Sequence, residues 1–175
     1  PTMNDSPFNR DGRLRGSLPK VKSTMFSRMI PAATVDMSQA LLEPLAADAA
    51  QPEAARLAAV LGQLVAAVKG RPWTNAAPPE LGSEWLAESY HRQSARDLPG
   101  ALEAARAAVR RAPEFGFGWA RVAELEFSFG RVGEALEALE NALKFTPRNA
   151  EAHALKGFLL GARNRIPQAI EAFNE

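Results

Sequence analysis

The sequence of 175 residues predicts an all-α protein: a right-handed superhelical stack of helix–turn–helix repeats, preceded by a helix pair and an irregular N-terminal arm. Three observations predict this fold class. In the second half of the chain, similar residues recur at one fixed interval, the one that separates Pro113 from Pro147. Before that region, apolar residues recur at the helical spacing of three and four. The beginning of the chain is basic and has no such period.

Residues 1–35 form the predicted arm. They carry six Arg and Lys against two Asp, although the whole chain has 21 basic and 20 acidic residues and a net charge of +1. This composition, with frequent Pro, Gly, Ser and Asn, is typical of a flexible or extended segment. Two alternatives remain. The arm docks on the body of the same or another chain, or it binds phosphate, which the lack of an aromatic series between the charges disfavours.

Residues 36–82 are predicted to form a helix pair and a Pro-rich linker. Asp36 or Ser38 is the predicted cap of the first helix. The second helix begins at Pro52, which suits a first helical turn because proline lacks an amide hydrogen, and it ends at Gly70. One broad apolar stripe follows this helix and consists of Leu57, Val60, Leu61, Leu64, Val65 and Val68.

Residues 82–175 carry the repeat, in three predicted units: 82–115, 116–149 and 150–175, the last of them incomplete. The matching positions are Trp85, Trp119 and His153; Ser89, Ala123 and Gly157; Leu98, Val132 and Ile166; and Ala101, Ala135 and Ala169. Each unit is predicted to contain two helices, with breaks near Arg96, Gly130 and Asn164. The small residues allow the two helices to approach closely. The final helix lacks a stop signal, so we expect a fragment of a longer protein.

This spacing resembles the tetratricopeptide repeat (TPR) family: a Trp, a small residue four positions later, Ala in the second helix and a closing Pro. Residues 116–147 carry the resemblance best, through Trp119, Ala123, Gly130, Ala135, Ala142 and Pro147. The unit before it has Arg96 where the family usually has Gly. The resemblance implies a non-catalytic scaffold for protein–protein interaction, which binds a peptide or partner segment in a concave groove lined by the first helices.

A second resemblance concerns the run from Phe115 to Arg131. It is similar to repeat segments of large bacterial envelope proteins that carry FecR-like domains, although no FecR-like domain is visible in this sequence. The similarity implies a bacterial protein of the cell envelope or periplasm. The cytoplasm is the alternative location.

The predicted groove is lined by one side of each first helix. Its residues are Leu86, Tyr90 and Gln93 in the first unit, Phe117, Arg121, Glu124 and Phe127 in the second, and Glu151, Leu155 and Phe158 in the third. Tyr90 and Arg121 are expected to reach water because their side chains end in polar groups. For Phe127 and Phe158, packing against a neighbouring helix is the alternative. Of the positions that hold a peptide carboxylate in some TPR proteins, only Arg121 has a suitable side chain.

The composition offers few residues that could form a catalytic or metal-binding site. The chain has no Cys, which excludes disulfides, thiolate zinc sites and cysteine nucleophiles, and its two His are His91 and His153. We therefore expect no enzyme activity, no catalytic or metal site and no cofactor. The small net charge argues against nucleic-acid binding, and the longest apolar stretch, residues 57–68, is too short to span a bilayer.

Two further hypotheses concern assembly. The incomplete third unit is expected to expose Ile170 and Phe173, so the chain is alternatively a structural module that stacks through this open face on further repeats or on another copy. The basic arm, in turn, is a candidate to lie along the groove or against the helix pair.

Overall fold

The computed structural model describes residues 52–74 and 77–175, and the fold is helical throughout these ranges. They contain seven α-helices and no strand: α1 Pro52–Lys69, α2 Gly82–Ser94, α3 Leu98–Arg111, α4 Gly116–Ser128, α5 Val132–Phe145, α6 Ala150–Ala162 and α7 Ile166–Asn174. The predicted arm and the first predicted helix, with its cap at Asp36 or Ser38, lie outside the described residues. None of the helices in the described ranges is both long and apolar enough to cross a membrane.

The helices from α2 onwards recur with the period seen in the sequence. The first helices of the pairs begin at Gly82, Gly116 and Ala150, and the second helices begin at positions 98, 132 and 166. The interval between successive starts is the same in both series and equals that of the sequence pattern. Within each pair the two helices pack on each other. A repeated helix–turn–helix unit is therefore the building block of this part of the chain.

Each pair turns at a residue with left-handed backbone. The angle φ is +68° at Arg96, +75° at Gly130 and +59° at Asn164. In all three turns the next amide donates to the carbonyl five residues before it, over 2.9 to 3.0 Å, which satisfies a carbonyl at the helix end. Arg96 adopts the conformation that glycine adopts in the next unit, at a backbone cost of about 1 kcal/mol.

The described residues fall into two compact units. The first unit contains α1 to α3, through Arg111. Here α1 packs on α2. The residues of α1 that are buried are Ala58, Gln63, Ala66 and Ala67, whereas Leu57 and Leu61 from the predicted stripe are 52% and 38% exposed. Gly70, with φ of +62°, follows the end of α1 as predicted.

A polar cluster joins α1 to the start of α2. Arg56 donates from Nε and Nη2 to the two carboxylate oxygens of Glu84, each over 2.8 Å. Glu84 also accepts from the amides of Glu80 and Leu81 at 2.7 and 3.0 Å, which caps α2 in place of a side chain at Leu81. Burial raises the pKa of Glu84, but these donors outweigh it and lower the pKa from 4.5 to about 2.

The second unit contains α4 to α7, from Ala112 to the end of the chain. Small residues in its core allow the helices to pack closely, and Ala123 and Ala135 are fully buried. The side chains of Leu125, Leu139 and Leu159 are fully buried as well. A Cβ on Gly157 would stand 2.8 Å from the ring of Phe173, so only glycine leaves room for this aromatic residue without movement. Between the two helix pairs, Leu136 of α5 packs against Leu160, Ala169 and Ala172.

Candidate functional site

The tryptophan position of the repeat holds the loop before α4 and the loop before α6. Trp119 donates from Nε1 to the carbonyl of Pro113 over 2.7 Å. His153, at the same position of the next repeat, contacts the carbonyl of Pro147 through Nε2 over 2.8 Å. Because a carbonyl oxygen can only accept, the hydrogen lies on Nε2 of His153. His153 therefore takes the structural role of Trp119, which agrees with a packing role and not with a chemical one.

One side of α4 and α6 forms a surface that we call the aromatic–acidic face. Its members lie three, four or seven residues apart along each helix and so share a side. They are Phe117, Ala120, Glu124 and Phe127 on α4 and Glu151, Ala154 and Phe158 on α6. Phe117 and Phe158 are each 55% exposed, an unusual state for so large an apolar side chain on a helix.

Two interactions between α4 and α6 make this face continuous. The rings of Phe127 and Phe158 meet edge to face, with centroids 5.7 Å apart and an angle of 72° between their planes. Such a geometry places the positive edge of one ring on the negative face of the other. The second interaction is electrostatic: besides burial, the negative charge of Glu124 contributes to a raised pKa of Glu151. The structure thus brings Phe127 and Phe158 together through packing between neighbouring helices, the stated alternative for these two residues, and their place in a groove stays a prediction.

Arg121 differs from its predicted environment. It is 1% exposed and donates from Nη1 to Oε2 of Glu124 over 2.6 Å. The expectation that its polar end reaches water is therefore wrong. The reason is its register: Arg121 lies one position beyond Ala120, on the side of α4 that turns toward the interior, and its charge is held by interactions within the protein. Leu155, the equivalent position of α6, is half-buried.

The electrostatics of the face are set by Glu151. Burial raises the pKa of Glu151 above its usual 4.5, and repulsion from Glu124 raises it further, against a smaller opposite effect of Arg121. Since Arg121 is already hydrogen-bonded to Glu124, the three groups together carry an excess of one negative charge when both carboxylates are ionised.

The remaining groove residues lie in the first unit. Leu86 and Tyr90 are half-buried residues of α2, as is Gln93, and their place in the groove stays a prediction. Ala120 and Ala154 were not among the predicted residues. Their spacing could have indicated them, because each lies three residues after a predicted groove position. An alanine side chain, however, has no functional group that suggests a binding role.

A second apolar surface lies on α7. Ile166, Ile170 and Phe173 are 49%, 55% and 59% exposed. Their counterparts in the preceding repeat are Val132, Leu136 and Leu139; Val132 is 1% exposed and Leu139 fully buried. The predicted exposure of Ile170 and Phe173 is confirmed. The part of the chain described here has no group of three or more His, Asp or Glu that could hold a metal ion.

Comparison with known proteins identifies the fold. No protein-family model matches the sequence. No curated protein is similar enough in sequence to count as a relative. Two crystal structures of MamA, a TPR-like helical repeat protein, are similar in structure. One has a TM-score of 0.50 at 13% identity, over 81% of this chain and 70% of its own. The other has a TM-score of 0.52 at 13% identity, over 87% and 81%. The predicted all-α helical repeat class is confirmed.

Proposed function

We propose that this chain is a non-catalytic protein–protein interaction scaffold of the TPR type, which binds a peptide or partner segment through the aromatic–acidic face. The observation that carries the proposal is the exposure of Phe117 and Phe158, each of them a more than half-exposed residue, on first helices whose other sides are packed. Exposed aromatic side chains beside small residues supply the anchor pockets on which binding energy concentrates. The likeness to MamA supports a scaffold fold without identifying a partner.

The experiment compares two exposed phenylalanines on different surfaces. Proteins are recovered from a cell extract on immobilised full-length chain carrying Phe158→Ala or Phe173→Ala, with the wild type beside them, and are quantified by mass spectrometry. We expect Phe158→Ala to lower recovery of specific partners about tenfold or more, as removal of an aromatic anchor does. Phe173→Ala, with similar exposure on α7, should leave recovery unchanged. Equal recovery with Phe158→Ala, Phe117→Ala and wild type would remove the groove hypothesis.

A second candidate function rests on α7. A structural module would stack further helices or another copy on Ile166, Ile170 and Phe173, because Leu136, the counterpart of Ile170 in the preceding repeat, packs against the helices that follow. Light scattering of the wild type and of Ile170→Asp tests this assembly. A molar mass that rises with concentration and returns to the monomer value in Ile170→Asp supports it, whereas a monomer over the whole range contradicts it.

A further inference from the structure

The aromatic–acidic face presents carboxylates as well as apolar surface, so it can distinguish partners by their charge. On α4, Glu124 lies three residues before Phe127, and on α6, Glu151 lies seven residues before Phe158, so each helix carries an acidic and an aromatic residue on the same side. The rings of Phe127 and Phe158 meet between the two helices. The cation among these groups, Arg121, is buried and bonded to Glu124. Within the described part of the chain, the carboxylate of Glu151 therefore faces a like charge, while the nearby cation is already engaged by Glu124.

A partner that covers this face must compensate its negative charge and also cover its apolar area. A neutral apolar segment would desolvate Glu124 and Glu151 together and increase their repulsion. An acidic segment would add a third negative charge, which is destabilising at close range. A positive side chain relieves the repulsion most strongly, and the rings of Phe127 and Phe158 also attract a cation placed over their faces.

We infer that the aromatic–acidic face binds a partner segment with an Arg or Lys side chain next to a bulky apolar residue. The basic group lies between Glu124 and Glu151, and the apolar side chain covers the exposed part of Phe158. This assignment rests on the proposed function and specifies the chemistry of its ligand. Arginine fits best, because its planar guanidinium can bond a carboxylate and stack on a ring at the same time.

Three synthetic peptides test the assignment on the full-length protein. Each has about 12 residues, long enough to follow two repeats, and carries two Leu around one central residue, which is Arg, Gln or Glu. Binding of the labelled peptides is measured by fluorescence anisotropy at several salt concentrations. We expect the Arg peptide to bind about tenfold more tightly than the Gln peptide, the Glu peptide to bind most weakly, and the difference to shrink at high salt.

Protein variants identify the groups responsible. Glu151→Gln should reduce the preference for Arg over Gln about fivefold, whereas the matched control Glu140→Gln, an exposed glutamate of α5, should leave it unchanged. Glu151 is the better choice than Glu124, since Glu124 also accepts from buried Arg121 and its loss affects folding.

The outcomes separate the assignment from the proposed function. If the peptides bind with equal affinity and Phe158→Ala weakens them all, the face is a binding site but the preference for a cation is wrong. If no peptide binds and Phe158→Ala changes nothing, the proposed function fails with it. If no peptide binds while light scattering shows self-association that Glu151→Gln abolishes, the occupant is a second copy of this chain, and a separate partner segment is excluded.

Discussion

Each of the two units contains a polar cluster of arginine and glutamate, but the pKa of a glutamate is lowered in the first cluster and raised in the second. In the first unit, Glu84 accepts four hydrogen bonds, two from Arg56 and two from backbone amides, and its pKa falls to about 2. In the second unit, Glu151 stands beside another carboxylate and its pKa rises. The first carboxylate holds α1 to α2. The second lies in the first turn of α6, where the charge of Glu124 opposes its ionisation.

Among the variants that test this comparison, Arg121→Met is expected to change the free energy of unfolding most. Removal of the buried guanidinium takes away the hydrogen-bond donor to Glu124. The negative charges of Glu124 and Glu151 then repel each other without the cation that now compensates one of them. We expect the free energy of unfolding to fall by about 3 kcal/mol, measured by urea denaturation. The control is Arg110→Met, at an exposed position of α3, which should change it by less than about 0.5 kcal/mol. A small effect of Arg121→Met would mean that the charge is solvated despite its burial.

The cluster of the first unit is tested by Glu84→Gln. The substitution weakens the contact with Arg56 and the cap of α2, and we expect a loss of about 1 to 2 kcal/mol at neutral pH. Because folding lowers the pKa of Glu84 from 4.5 to about 2, its stabilisation is present above pH 4.5 and is lost as the pH falls toward 2. Thermal unfolding from neutral pH down to about pH 2.5 should therefore bring variant and wild type together in acid. A constant difference at every pH would contradict this.

Glu151→Gln should act in the opposite direction. Folding raises the pKa of Glu151, so its stabilising form is the protonated one, present below the usual pKa of 4.5 and lost as the pH rises through the folded value. At neutral pH we expect the variant to be more stable than the wild type by about 0.5 kcal/mol, and below pH 4.5 the two should agree. Differential scanning calorimetry at both pH values checks the sign. Destabilisation at neutral pH would show that Glu151 has a structural partner.

A similarly small effect on stability is expected for Phe158→Ala. Phe158 is more than half exposed, and its ring pairs edge to face with Phe127. We expect a loss of about 0.5 to 1 kcal/mol in urea denaturation, far below the roughly 3 to 5 kcal/mol of a core phenylalanine. A loss in the core range would assign Phe158 to packing and weaken the case for a binding face.

Much of the fold was predictable because the repeat period fixes where helices start and turn. Arg96 shows why a departure from the family pattern did not matter: the hydrogen bonds of the turn keep the left-handed conformation even without glycine. The candidate site was harder. Arg121 and Ala120 are neighbours in sequence, yet one is buried and the other belongs to the exposed face. A shift of one residue on a helix rotates a side chain by about 100°, and repeat spacing alone does not set that angle.

The hydrogen bonds of Trp119 and His153 have a consequence for how such repeats diverge. What the position requires is a nitrogen that bears a hydrogen, placed to reach the carbonyl of the closing proline. An indole and an imidazole meet that requirement although they differ greatly in size and hydropathy. Repeats of this protein can thus change the residue by which they are usually recognised and keep the bond that it makes. Kinship among such units is better traced through donors and acceptors than through residue identity.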